Sequence, residues 1–286
     1  MDMDFRADLL KYAQAELSGL GVEAPSNDTT DCTLLLFKLR RRCPEAIRRD
    51  TKFSSSFSVP DDLKAGLSKL CGVIHLGGSL GPYLSRSTFN TQRHDQLLDD
   101  WGILHLHLGE QMQPNGMIES TQIVAFVLIT PDCVYFIEAY PHGIGHGDVW
   151  AKEQLIGTIA ENWPSLLPSN GTRMTSERLT PRERITLRRK SVNATVAKPS
   201  GEVVFPPGGG FMSNKTAMAD FMSLQKLYAQ LDHLESVCRL TEDSIQHSLG
   251  FADKDFRLHV LFEERELWVY EPTSGTKLVF DVELTP

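Results

Sequence analysis

Histidine is the side chain that exchanges a proton nearest to neutral pH, and one stretch of this 286-residue chain concentrates it. In Arg93-His94-Asp95 and Asp99-Asp100-Trp101-Gly102-Ile103-Leu104-His105-Leu106-His107, two imidazoles stand at i and i+2. On an extended strand that spacing puts both on one face. His142 and His146 follow the next two hydrophobic runs, which a hairpin would return to the end of the same sheet. Four of the nine histidines are thereby expected to converge. Such a cluster suits acid–base work on a phosphodiester without a metal or a cofactor. His105 or His107 takes a hydroxyl proton, the other or His142 protonates the leaving oxygen, and Arg93 holds the phosphate.

Two further readings stay open. H-x-H on a strand with a third His can present nitrogen ligands to a metal, as in a metal hydrolase, with Asp95, Asp99, Asp100 and Asp148 as oxygen donors. Alternatively the histidines are structural, in a non-catalytic, antitoxin-like binding protein. Solvent access separates these cases, because a catalytic histidine opens to a cleft and a structural one is buried and bonded.

Two glycine-rich segments invite a phosphate-binding reading and do not support it. Gly143-Ile-Gly145-His-Gly147 has G-x-G-x-G in place of the dinucleotide fingerprint and reads as a turn. Gly209-Gly-Phe-Met-Ser-Asn214-Lys215-Thr216 ends like a P-loop, yet Asn214 stands where its second glycine belongs, so a helix cap and hinge is expected there.

The positioning elements follow from periodicity. Helices are expected at 5–20, 33–42, 60–70, 150–163 and 181–190, and a long one at 216–240 whose Leu224, Leu227, Leu231, Leu234 and Cys238 recur at three and four. Strands are expected at 103–108, at 123–130 and 133–139 around Pro131-Asp132, at 194–196 and 203–205, and at 256–262, 267–270 and 277–284. Phe53 to Ser58 reads as a Ser-rich loop. The class is α+β: an antiparallel sheet flanked by helices, with a second, smaller α+β lobe. The expected division is a helical part at 1–75, a central domain with the histidines at 76–168, and a C-terminal lobe at 169–286.

At 41% hydrophobic and 23% charged residues the composition is globular. No run reaches the roughly 20 apolar residues of a membrane span, and MDMDFRADLL is acidic where a signal peptide is basic, so a cytoplasmic protein with no membrane partner is expected. The five cysteines form no CxxC pair and read as reduced packing residues. Net charge is −8, with 12 acidic and 5 basic residues in 232–286. Two basic runs, Lys38 to Arg49 and Arg173 to Lys198, could meet phosphate or form solvated helix faces. RNA is the expected partner of the histidine region. The acidic C-terminal lobe, with Glu263, Glu264 and Glu266, is expected to meet a protein and to hold no catalytic residue, which leaves His233, His247 and His259 dispensable.

The segment D-D-W-G-I-L-H-L-H-L-G, the hairpin I-V-A-F-V-L-I-T-P-D-C-V-Y-F-I-E-A-Y-P-H and the helix ending E-N-W-P resemble a family of uncharacterised bacterial proteins, over about residues 75 to 240. Gly102 to His107 and Val134 to His142 are also similar in pattern to the RelE-like ribonuclease toxin fold. That likeness implies RNA cleavage of toxin or phage-defence type.

Overall fold

In the computed structural model, residues 1–168, 178–252, 255–263 and 266–278 are described, together with the backbone of 172–173. The chain forms two compact units, 1–37 with 220–286, and 38–219. These do not follow the expected boundaries at 75/76 and 168/169. The physical reason is that the first residues pair and pack with the last ones.

β1 (Asp2–Met3) runs parallel to β9 (Arg257–Glu263), with Met3 opposite Leu258. It leads into α1 (Phe5–Gly19), whose first turn is capped by the Asp4 carboxylate accepting the Ala7 N–H at 2.9 Å. Phe5 and Leu9 of α1 then join Leu231, Leu234, Cys238, Leu258 and Val269 in one core. This unit is completed by α7 (Met218–Leu240), α8 (Glu242–Leu249), β10 (Glu266–Glu271) and β11 (Thr276–Leu278), in a sheet of order β1-β9-β10-β11. The leucine stripe of α7 is a core stripe, with Leu227 partly buried and the others fully. The expected strand beyond Leu278, and Glu264, lie outside the described residues.

α2 (Thr29–Arg42) carries the chain into residues 38–219. There follow β2 (Asp50–Phe53), α3 (Lys64–Leu76) after a single 3-10 turn, α4 (Gln96–Trp101), β3 (Ile103–His107), β4 (Ile123–Ile129), β5 (Cys133–Pro141) and α5 (Gln154–Asn162). β6 (Thr172–Arg173), α6 (Pro181–Arg189), β7 (Val196–Ala197) and β8 (Glu202–Val204) complete the unit. The central sheet has the order β2-β5-β4-β3, antiparallel except for β2, which runs parallel along the β5 edge. The expected Ser-rich loop therefore begins as a strand, and behind it Ser54 and Ser56 hydroxyls donate to the Ile137 carbonyl and the buried Glu138 carboxylate.

Strand alternation sorts the side chains into two layers. Leu104, Leu106, Ala125 and Val127 face α3 through Leu70 and Ile74. Ile103, Val124, Phe126 and Ile137 face α5 through Leu155, Ile156 and Ile159, with Trp101 and the β7–β8 hairpin. Two glycines are fixed by close approach. A Cβ on Gly66 would lie 1.8 Å from the Leu108 carbonyl oxygen, and one on Gly208 would lie 2.4 Å from the Gly102 nitrogen. The Pro206 to Gly210 segment is a strap on the end of α4, where Gly208 and Gly210 N–H groups donate to the Asp100 and Asp99 carbonyls. The glycines that open the P-loop-like segment are thus committed to packing, while Ser213, Asn214 and Lys215 are exposed.

Candidate active site

The register of the central sheet explains how the histidines meet. His105 pairs with Phe126 and His107 with Val124, and Val124 pairs in turn with Tyr140. His142 stands two residues past Tyr140, so it shares the face and the sheet end of His107. The ring centroids of His107 and His142 are 5.3 Å apart, and His105 is 6.2 Å from each. Trp150, in a 3-10 segment before α5, closes the group with its ring 4.8 Å from His105. All four side chains line one cavity of about 900 Å³.

Two backbone bonds fix opposite tautomers at its floor. The Thr121 N–H donates to His107 Nδ1 at 3.2 Å, which leaves the ring proton on Nε2. His142 Nδ1 donates to the Gln122 carbonyl at 2.9 Å, which leaves a lone pair on Nε2. One neutral imidazole is therefore a hydrogen-bond donor and the other a base. Burial pushes His107 down to about 4, helped by His105, His142 and Arg86. His105 is also lowered, first by burial and then by His142, against the opposing pull of Asp95. His107 is 6% exposed, whereas His105 and His142 are open to the cavity.

The walls are basic and hydroxylated. Arg93 and His94 come from the loop before α4, Ser85, Ser87 and Thr88 from the segment before it, and Arg182 and Arg189 from α6. Burial lowers the pKa of His94, with Lys38, Arg42 and Lys215 adding to the effect. Part of the first basic run supports this wall, while Arg40 and Arg48 are exposed and Arg49 bonds to the Thr130, Glu45 and Ile47 carbonyls. Arg42, 4% exposed, donates to the carbonyls of Thr88, Asn90 and Arg93, and Lys38 donates to that of Thr91 at 2.7 Å.

The second run splits between two duties. α6 starts with a Thr180/Glu183 capping box and Pro181. Its Arg184 and Arg188 turn inward over the Trp101 ring, at 5.3 and 4.4 Å from the ring centroid. Arg188 Nε donates to Asp100 at 2.7 Å, both side chains being 2% exposed, and a further donor reaches the Trp150 carbonyl. Burial raises Asp100 and lowers Arg188, and each partner opposes the other's shift.

The structure thus brings together His105, His107, His142 and Arg93. It does not bring in His146, which lies exposed in the Gly143 to Gly147 turn, outside the cavity lining. His94, Trp150, Arg182 and Arg189 were missed; the i, i+7 spacing of the two arginines on a helix was the available signal. Of the four oxygen donors of the metal reading, Asp99 is paired with Arg41 at 2.5 Å and Asp100 with Arg188, whereas Asp95, whose carboxylate caps α4 through the Leu98 N–H, and Asp148 line the cavity. Among the described residues no three His, Cys, Asp or Glu side chains are placed to hold a metal ion.

Comparison with protein-family models, with curated proteins and with solved structures finds no match for this chain.

Proposed function

We propose that the protein is a metal-independent RNA endonuclease of the toxin or phage-defence kind, acting in the cytoplasm. The observation that carries this reading is the pair of fixed tautomers on the floor of a cavity walled by arginines. His142 Nε2 accepts the proton of a ribose 2′-hydroxyl, and the 2′-oxygen forms a bond to phosphorus. As the bond from phosphorus to the 5′-oxygen breaks, that oxygen takes a proton from the His105 imidazolium, which the phosphate's own charge favours once bound. His107 Nε2–H donates to a non-bridging oxygen, and Arg93 offsets the developing charge. The product is a 2′,3′-cyclic phosphate and a free 5′-hydroxyl.

The acid role of His105 sets a pH profile. Its pKa in the free protein lies below the ordinary value of about 6.5, so the decline of kcat/KM with rising pH sets in already below that ordinary value. The binding alternative draws support from one feature, the backbone-bonded and nearly closed His107. The acidic unit, with 20 acidic against 8 basic residues, is the part proposed to meet a protein partner.

The test is cleavage of a structured bacterial RNA by the wild type and by the His105→Ala/His142→Ala variant, with both shown to be folded. Cleavage by the wild type alone supports the proposal. Equal behaviour of the two refutes it.

A further inference from the structure

α6 carries two arginine pairs that differ in burial, although Arg188 of the buried pair also reaches the cavity lining. Arg184 and Arg188, at i and i+4, are buried against Trp101 and bonded to Glu153 and Asp100. Arg182 and Arg189, at i and i+7, lie on a second face with Ile185 and Thr186 between them, and all four of these residues line the histidine cavity. Both outer arginines are exposed, and among the described residues neither is drawn into an ion pair. Seven residues of helix span about 10 Å, which is more than one phosphate of an extended strand occupies.

We infer that this face of α6 is a backbone track for single-stranded RNA, with Arg182 and Arg189 each holding one phosphate that flanks the reacting one. The inference rests on the RNA reading of the same site and names the form of RNA taken. The low exposure of His107, 6%, favours an unpaired strand, whose backbone can bend a phosphate toward it while the neighbouring phosphates stay on the arginines. The inner pair supports the track indirectly, because Arg188 anchors α6 to the end of α4 through Asp100.

The test is binding of a cleavage-blocked, 2′-O-methyl single-stranded RNA of about ten nucleotides, followed by fluorescence anisotropy over a salt series. Each phosphate contact on a single strand contributes about 0.7 to the slope of log affinity against log salt. Arg182→Gln/Arg189→Gln should therefore lower that slope by about 1.4 relative to wild type. Arg178→Gln, exposed but outside the cavity, should leave it unchanged. A duplex of the same sequence should compete poorly. An unchanged slope in the double variant, or equal competition by duplex, overturns the track. If the wild type still cleaves RNA in that case, the catalytic proposal stands without it; if the wild type neither binds nor cleaves RNA, both fall.

Discussion

The two units are built on one sheet plan and put their strand histidines to different uses. In each, a short strand runs parallel along one edge of three antiparallel strands, β2 beside β5 and β1 beside β9. In residues 1–37 and 220–286, His259 projects from β9 to the Asp8 carboxylate, 2.9 Å from its Nδ1, and the same carboxylate accepts the Val260 N–H. That histidine is tied to a counter-charge. In residues 38–219, His105, His107 and His142 share a cavity lined by several arginines and by Asp95 and Asp148, with no carboxylate among the described residues bonded to a ring, and burial pushes the first two toward neutrality. The net charges follow suit, −12 for the first unit and +4 for the second. A histidine's role is thus set by its surroundings: a carboxylate partner makes a structural pair, whereas burial in a cavity walled by arginines disfavours the charged form of His105 and His107.

The largest expected effect would break this comparison if it failed. His142→Ala should reduce RNA cleavage by roughly 10² to 10⁴ with the melting temperature little changed, while His259→Ala should leave cleavage intact and lower stability. Cleavage assays and thermal melts on both variants decide it. Next comes Arg188→Ala, which strands the 2% exposed Asp100 and should cost about 3–5 kcal/mol in denaturant unfolding. Replacing both partners with apolar residues of similar volume should recover most of that loss.

A smaller effect concerns acid stability. Because the folded-state pKa of His107 is lowered to about 4, its contribution is complete above the unfolded value and is lost as pH falls. Where the unfolded chain binds this proton and the folded chain does not, each pH unit changes stability by about 1.4 kcal/mol, so the loss between about pH 7.5 and 5 is about 2 kcal/mol. His107→Gln should remove that component, as read from urea midpoints at the two pH values. The smallest effect belongs to the acidic unit: Arg6→Ala, which breaks an exposed pair with Asp232, should change stability by less than about 1 kcal/mol and leave cleavage untouched.

Much of the architecture was legible because its signals are local. The helices at 5–20 and 181–190, the Pro131-Asp132 hairpin and the i, i+2 placement of His105 and His107 all depend on neighbours in sequence. What escaped depends on distant partners. Asp2-Met3 and Asp50 to Phe53 are too short and polar to read as strands, and each exists because a far longer strand offers its edge. The same holds for the basic runs: nothing local distinguishes Arg188, buried against Trp101, from the exposed Arg189, except the helical phase relative to a tryptophan 87 residues away. Among the described residues no helix is long and apolar enough to cross a membrane.

The most direct test of the central claim is the chemistry of the cut ends. An RNA oligonucleotide should be incubated with the wild-type protein in excess chelator, beside a copy with a single 2′-deoxy sugar at the cleaved position, and the products should be analysed by mass spectrometry. The account predicts a 2′,3′-cyclic phosphate and a 5′-hydroxyl from the first RNA and no cut at that position in the second. A 5′-phosphate with a 3′-hydroxyl, or cutting at the deoxy position, would contradict it.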